Sequence, residues 1–196
     1  MLHAPAAFGV SSAARSVAAR GAVPVNADQF RSALRLWASG VSIVTTRRDG
    51  EGMLGITVSS FSSLSLDPPL VVICIAREAR SHDLIAARRA FAVNILREDQ
   101  RPLSDRAAGR EGEEGNWLQG VAWRRVATGA PVLEDCLAWL DCALVASHEG
   151  GDHTLFVGRV EAAGQTEGRP LIWFGSAYRT LAPVAPTRRR RSAVRK

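Results

Sequence analysis

Fifteen residues, GITVSSFSSLSLDPP from Gly55 to Pro69, carry six hydroxyls: Thr57, Ser59, Ser60, Ser62, Ser63 and Ser65. Read as a strand, the run alternates between two faces. Ile56, Val58 and Ser60 share one face; Thr57, Ser59 and Phe61 share the other. The apolar face suits a core. The hydroxyl face either meets solvent or binds a ligand, because buried hydroxyls need partners; phosphate and heterocycle carbonyl oxygens are suitable ones. A second place is AREARSHDLI, where Ser81 reads as the N-cap of a helix. The free N–H groups and positive dipole end of a helix start suit a phosphate, and Arg77 and Arg80 lie just upstream. Asn94 is a third, an amide inside the apolar run FAVNIL. It must satisfy neighbouring backbone or meet a bound heterocycle. His153 stands where a tight turn, GGDH, leads into an apolar strand. It is either an exposed turn residue or part of a site. His148 and Asp152 are close by in sequence without forming a tight ligand set, so no metal is assigned. There is no GxSxG elbow.

The elements that must position these residues are mostly strands. NADQFRSALRLWASG reads as a helix capped by Asn26 or Asp28 and ended by Gly40. VSIVTTR is a strand, RRDGEG a turn, and MLGITVSSFSSLSL the partner strand stopped by Pro68 and Pro69. LVVICIA, 70–76, is continuous and β-branched, which predicts burial on both faces. SHDLIAARR is a helix, FAVNIL a strand, and REDQRPLSDRAAGREGEEGNW a short helix that decays into a polar loop. GVAWRRV is a weak strand. LAWLDCALVASHEGGDHTLFVGRVEAAG is a long hairpin around the tip EGGD, and PLIWFGSAYRTL closes the ordered part. Hairpin-length links join consecutive strands in place of βαβ crossovers. The expected fold is therefore mainly β, an antiparallel barrel with peripheral helices.

The chain has 196 residues, 46% of them hydrophobic and 22% charged, which fits one globular domain. No apolar run is long enough to span a bilayer, so no membrane partner is expected. The formal net charge is +6, yet the tail RRRRSAVRK alone carries six positive charges. That distribution argues for a disordered basic tail over 183–196 and against a specific nucleic-acid site. Residues 1–25 are rich in Ala, Ser and Arg and contain no acid. They resemble a transit peptide, but a flexible extension or an early start codon is the simpler reading. The globular domain is placed at 26–182. Cys74, Cys136 and Cys142 are odd in number and form no CxxC, which indicates reduced thiols in a cytoplasmic protein.

Five segments in order, FRSALRLWASGVSIVTT, GITVSSFSSLSLDPPLVVICI, FAVNIL, GDHTLFVGRV and PLIWFGSAYRTL, are similar to the flavin reductase-like family. These are short-chain NAD(P)H:flavin oxidoreductases that serve two-component monooxygenases. The resemblance runs from about Phe30 to Leu181. It implies a split β-barrel with FMN or FAD at a homodimer interface, NADH or NADPH as hydride donor, and a partner monooxygenase that receives reduced flavin. It assigns Thr57, Ser59 and Ser60 to the flavin, and Arg80 and Ser81 to its phosphate or adenylate end. Asn94 falls near the flavin, His153 near the nicotinamide, and Tyr178 and Arg179 at the pocket rim. One departure is the loop after LSDRAAGR. The family often has a basic residue followed by Phe there, whereas this chain has EGEEGNW, with Trp117 as the substitute aromatic. Two rival readings share the barrel: a flavoprotein with tightly held flavin and another acceptor, and a flavin-binding module without turnover.

Overall fold

A computed structural model describes residues 24–48, 50, 52–109 and 120–182. The expected extension up to residue 23, Trp117 and the basic tail lie outside them. The chain forms two compact units, Met1–Leu34 and Arg35–Lys196. In the first, helix α1 spans Ala27–Leu34. Asn26 caps it: its Oδ1 accepts the N–H groups of Asp28 and Gln29 at 3.1 and 2.9 Å, and Gln29 Oε1 accepts the Asn26 N–H at 3.1 Å. This is a capping box. The helix stops at Leu34, well before Gly40, because Ser39–Gly40 is drawn into a strand, β1, of the second unit.

The second unit is mainly β and antiparallel. It continues through β2 (Ser42–Arg47), β3 (Met53–Val58), β4 (Phe61–Leu66), β5 (Pro69–Ala76), helix α2 (Arg80–Arg88) and β6 (Ala90–Ile95). A 3-10 turn (Glu98–Gln100) leads into α3 (Arg101–Ala107), β7 (Trp123–Arg125) and β8 (Pro131–Leu133). The long pair β9 (Ala138–Gly150) and β10 (His153–Gln165) and the short β11 (Ile172–Phe174) and β12 (Ala177–Arg179) complete it. Seven strands form one sheet in the order β3-β2-β6-β9-β10-β5-β4; β1-β11-β12 and β7-β8 form two small sheets.

That order corrects one expectation. The hydroxyl-rich run is two strands, β3 and β4, broken at Ser59–Ser60 and lying at opposite ends of the seven-stranded sheet. A flat sheet would put its outer strands roughly 29 Å apart at about 4.8 Å per step. The link from Val58 to Phe61 spans at most about 11 Å. The sheet must therefore roll up until its edges nearly meet, leaving a barrel-like wall with an unpaired seam at the serines.

Inside the roll lie Ile73, Ile75, Phe91, Val93, Cys142 and Phe156, all buried. β5 alternates between buried and half-buried positions. Burial on both faces, expected from its apolar run, is not what it shows, because only its Val71, Ile73 and Ile75 face enters the core. Asn94 and Asp141, both fully buried, have their polar groups satisfied. Asp141, fully buried, accepts the N–H groups of Ala127 and Thr128 at 2.7 and 2.9 Å, together with the Thr128 hydroxyl. Burial pushes the thiols of Cys136 and Cys142 up to about 11 and about 12, so both stay protonated at neutral pH.

Gly158 on β10 lies under the Phe91 ring. A Cβ there would sit 2.5 Å from Phe91 Cζ and 2.9 Å from Cys142 Cβ. Neither neighbour has room to move, since both are fully buried. Gly158→Ala should lower stability by about 1–3 kcal/mol, the usual cost of overpacking a core. Urea denaturation checks this; an unchanged midpoint would mean that the ring shifts freely.

Candidate functional site

Four segments converge at the C-terminal end of β5. The bend between β3 and β4 brings Ser60, whose hydroxyl donates to the Cys74 carbonyl at 2.8 Å. Two residues further along β5, Ala76 pairs with His153, the first residue of β10. The chain then turns: the Arg77 N–H reaches the Asp152 carbonyl at 3.0 Å, and the Ala79 N–H reaches the Ala76 carbonyl at 3.0 Å. Helix α2 starts immediately afterwards. The serine bend, the tail of β5, the start of α2 and the start of β10 thus share one corner of the fold.

Ser81 is placed differently from the expectation. The N-cap is Ala79, in extended conformation and without a side-chain cap bond, because the chain leaves β5 through a tight turn that ends at Ala79. Ser81 lies within the first turn of α2, buried, and its Oγ has no hydrogen-bond partner. Such an orphaned hydroxyl is costly unless a ligand satisfies it. His153 is half-exposed, and its Nδ1 lies 2.7 Å from Asp152 Oδ1. That hydrogen bond holds the Asp152 carboxyl below its usual range. An ionised carboxylate only accepts, so Nδ1 carries the hydrogen, and Nε2 is the ring nitrogen left open to a ligand.

A second group meets on α3. Thr57 donates its hydroxyl to the Ser104 carbonyl at 2.8 Å. Tyr178 Oη lies 2.8 Å from Asp105 Oδ1 and 3.0 Å from Ser104 Oγ. The Arg101 guanidinium stands 5.3 Å over the Tyr178 ring, and Trp173 meets the same ring edge-on at 5.0 Å. Arg179 is exposed and donates to the Tyr178 carbonyl at 3.2 Å. Only Val58 separates Thr57 from the serine bend, so the chain itself joins the two groups. Ser59 is exposed at that bend.

Asn94 belongs to neither group. It is fully buried, and its Nδ2 donates to the Ile43 carbonyl and Thr45 Oγ1, both at 3.0 Å, while Oδ1 accepts the Leu133 N–H at 2.8 Å. Of the two partners open to this amide in the sequence, neighbouring backbone and a bound heterocycle, the backbone of Ile43 and Leu133 holds it, together with the Thr45 hydroxyl. Sequence reasoning passed over His82, Ser104, Asp105 and Asp141. Ser104 and Asp105 sit in a segment that reads only as a polar helix, and their partners come from distant parts of the chain.

Residues 34–182 match the family model described as a flavin reductase like domain. The chain is 42% identical over 154 residues to a NADH-dependent flavin reductase of Rhodococcus sp, covering 78% of this chain and 85% of that protein. It is 35% identical over 161 residues to the reductase subunit HsaB of a flavin-dependent monooxygenase from Mycobacterium tuberculosis, covering 81% and 84%. The solved structure of the Streptomyces globisporus C-1027 NADH:FAD oxidoreductase SgcE6, in complex with NAD and FAD fragments, superposes with a TM-score of 0.74 at 32% identity, covering 84% of this chain and 99% of that one. With a family model matched across most of its length and relatives of this similarity, the chain belongs to the flavin reductase-like family.

Proposed function

We propose that this protein oxidises NADH and reduces FMN or FAD, and that the reduced flavin leaves to supply a partner monooxygenase. The observation that carries the reading is the corner where the serine bend, the orphaned Ser81 hydroxyl and His153 come together. Its relatives are named as NADH-dependent flavin reductases and as reductase subunits of flavin-dependent monooxygenases, which favours NADH over NADPH.

The residues at the corner fit a flavin. Ser81 offers a buried hydroxyl at the positive end of α2, next to Arg80, and this suits the phosphate. Ser59 and Ser60 lie at the unpaired seam, where the outer edges of β3 and β4 have no strand neighbour among the described residues. Open backbone groups and hydroxyls there suit the ring edge and ribityl chain. Ser60 and Thr57 spend their own hydrogens on protein carbonyls, which leaves their oxygens free to accept from a ligand N–H or O–H. Tyr178 and Arg179 form the rim beyond Thr57. Asn94 is left out, because its amide is already engaged within the barrel wall. The flavin, when bound, supplies the hydride acceptor and NADH the hydride. The protein's part is placement: His153, with Nδ1 fixed by Asp152, presents Nε2 to orient the nicotinamide carboxamide, and such positioning lowers the entropic part of the barrier.

We read the assembly as a homodimer of split barrels. Support comes from β4, an edge strand on which Leu64 and Leu66 are 55% and 94% exposed. A bare apolar edge strand is a surface that natural proteins cover. The free thiols suit a cytoplasmic setting, and no helix among the described residues is long and apolar enough to cross a membrane.

Three tests follow from this reading. NADH absorbance should fall only when FMN, FAD or riboflavin is added, with a rate that saturates in flavin. A protein that purifies yellow and turns over without added flavin would instead indicate a tightly held prosthetic group. His153→Ala should lower kcat roughly tenfold to a hundredfold while moving flavin affinity little; an unchanged rate at saturating flavin removes His153 from this role. Leu66→Asp should shift the protein from dimer to monomer in light scattering, and a dimer that survives the change places the interface elsewhere.

A further inference from the structure

Each end of one side-chain hydrogen bond lies a single residue from a proposed ligand-holding group. His82 Nε2 is 2.8 Å from Thr154 Oγ1, across 72 positions of sequence. His82 follows Ser81, and Thr154 follows His153. The His82 ring is held on its other side too: Nδ1 lies 2.8 Å from Asp83 Oδ1, and the ring tilts against buried Phe156 at 5.3 Å. Its side chain is only 18% exposed, whereas that of Asp83 is 96% exposed. The imidazole is therefore clamped between the first turn of α2 and the start of β10.

We infer that His82 is a positioning residue: through Thr154 it fixes the start of α2 against the start of β10, and so sets the spacing between the phosphate-facing Ser81 and the nicotinamide-facing His153. The inference rests on the reductase reading above. Strand geometry makes the arrangement workable. Successive side chains point to opposite faces, so Thr154 is pinned on the core side of the strand while His153 projects to the other side. With the Asp83 carboxylate accepting from Nδ1, Nε2 is the ring nitrogen that meets the Thr154 hydroxyl. The clamp borders an open groove of about 490 Å³ lined by Arg77, His82, Ser147, His148 and Thr154, among others. Removing the hydroxyl therefore leaves no sealed cavity.

The test separates FMN, which has a phosphate, from riboflavin, which lacks one. Binding is read by quenching of flavin fluorescence and needs no turnover. Thr154→Val and His82→Phe should each weaken FMN about tenfold and leave riboflavin affinity as in the wild type, because only FMN reaches Ser81. The double variant should be no weaker than the worse single one, since both remove the same bond. Thr154→Ser should recover most of the FMN affinity lost in Thr154→Val. In turnover, both clamp variants should lower kcat with NADH at saturating flavin. FMN and riboflavin affinities that fall together, or losses that add in the double variant, would overturn the inference. If the wild type binds FMN but never oxidises NADH, the reductase reading fails, while the FMN-to-riboflavin ratio still decides the role of His82.

Discussion

The carboxamide of Asn94 is the constraint on which the wall of the barrel depends. From β6 it reaches β2, through the Ile43 carbonyl and the Thr45 hydroxyl, and β8, through the Leu133 N–H. Thr45 passes the connection on by donating to the Pro131 carbonyl. A polar network this deep is tolerated only when every member is satisfied, and in return it admits one register. The rest follows by pairing. β2 sets β3 and hence the serine bend; β6 sets β9, β9 sets β10, and β10 sets β5. Both walls of the corner that carries Ser60 and His153 thus trace back to one amide. Asp141 does similar work on the far side of β6, where its carboxylate gathers the loop that leads into β8.

Much of this was legible in the sequence, and the exceptions have physical causes. β6 and the β9–β10 hairpin stand out because β-branched runs are punctuated by a glycine-rich tip, EGGD. The break at Ser59–Ser60 does not stand out. No Gly or Pro marks it, and its one local trace is a slip in the alternation of apolar and hydroxyl side chains, where Ser59 and Ser60 stand side by side. Only the need to reach both edges of a rolled sheet requires a bend there. Ser81 reads as a cap because serine is a good one, yet the turn out of β5 hands the cap position to Ala79 and leaves the hydroxyl facing inward. β5 reads as buried on both faces because its residues are apolar throughout, and local composition says nothing of what covers the second face.

The fold divides the candidate site residues in a way that the sequence pattern does not show. Ser59, Ser60, Ser81 and His153 come from three segments that the fold brings to one corner. Thr57 and Tyr178 converge instead on α3, through Ser104 and Asp105, and so brace that helix. Asn94 is a strut. A buried amide with three partners of its own and a ligand-facing amide carry the same letter in a sequence; only the partners tell them apart.

The pairing of β5 with β10 carries a cost of its own. Ala76 and His153 meet although they are 77 positions apart, while Arg47 and Met53, at the end of the β2–β3 hairpin, are only six apart. Closing the longer loop costs about 2 kcal/mol more in chain entropy. The corner that would hold the flavin is therefore built on a contact between distant stretches of chain. A molecule bound there spends part of its binding free energy on holding that contact shut, and so acts as a cross-link between two distant stretches of chain.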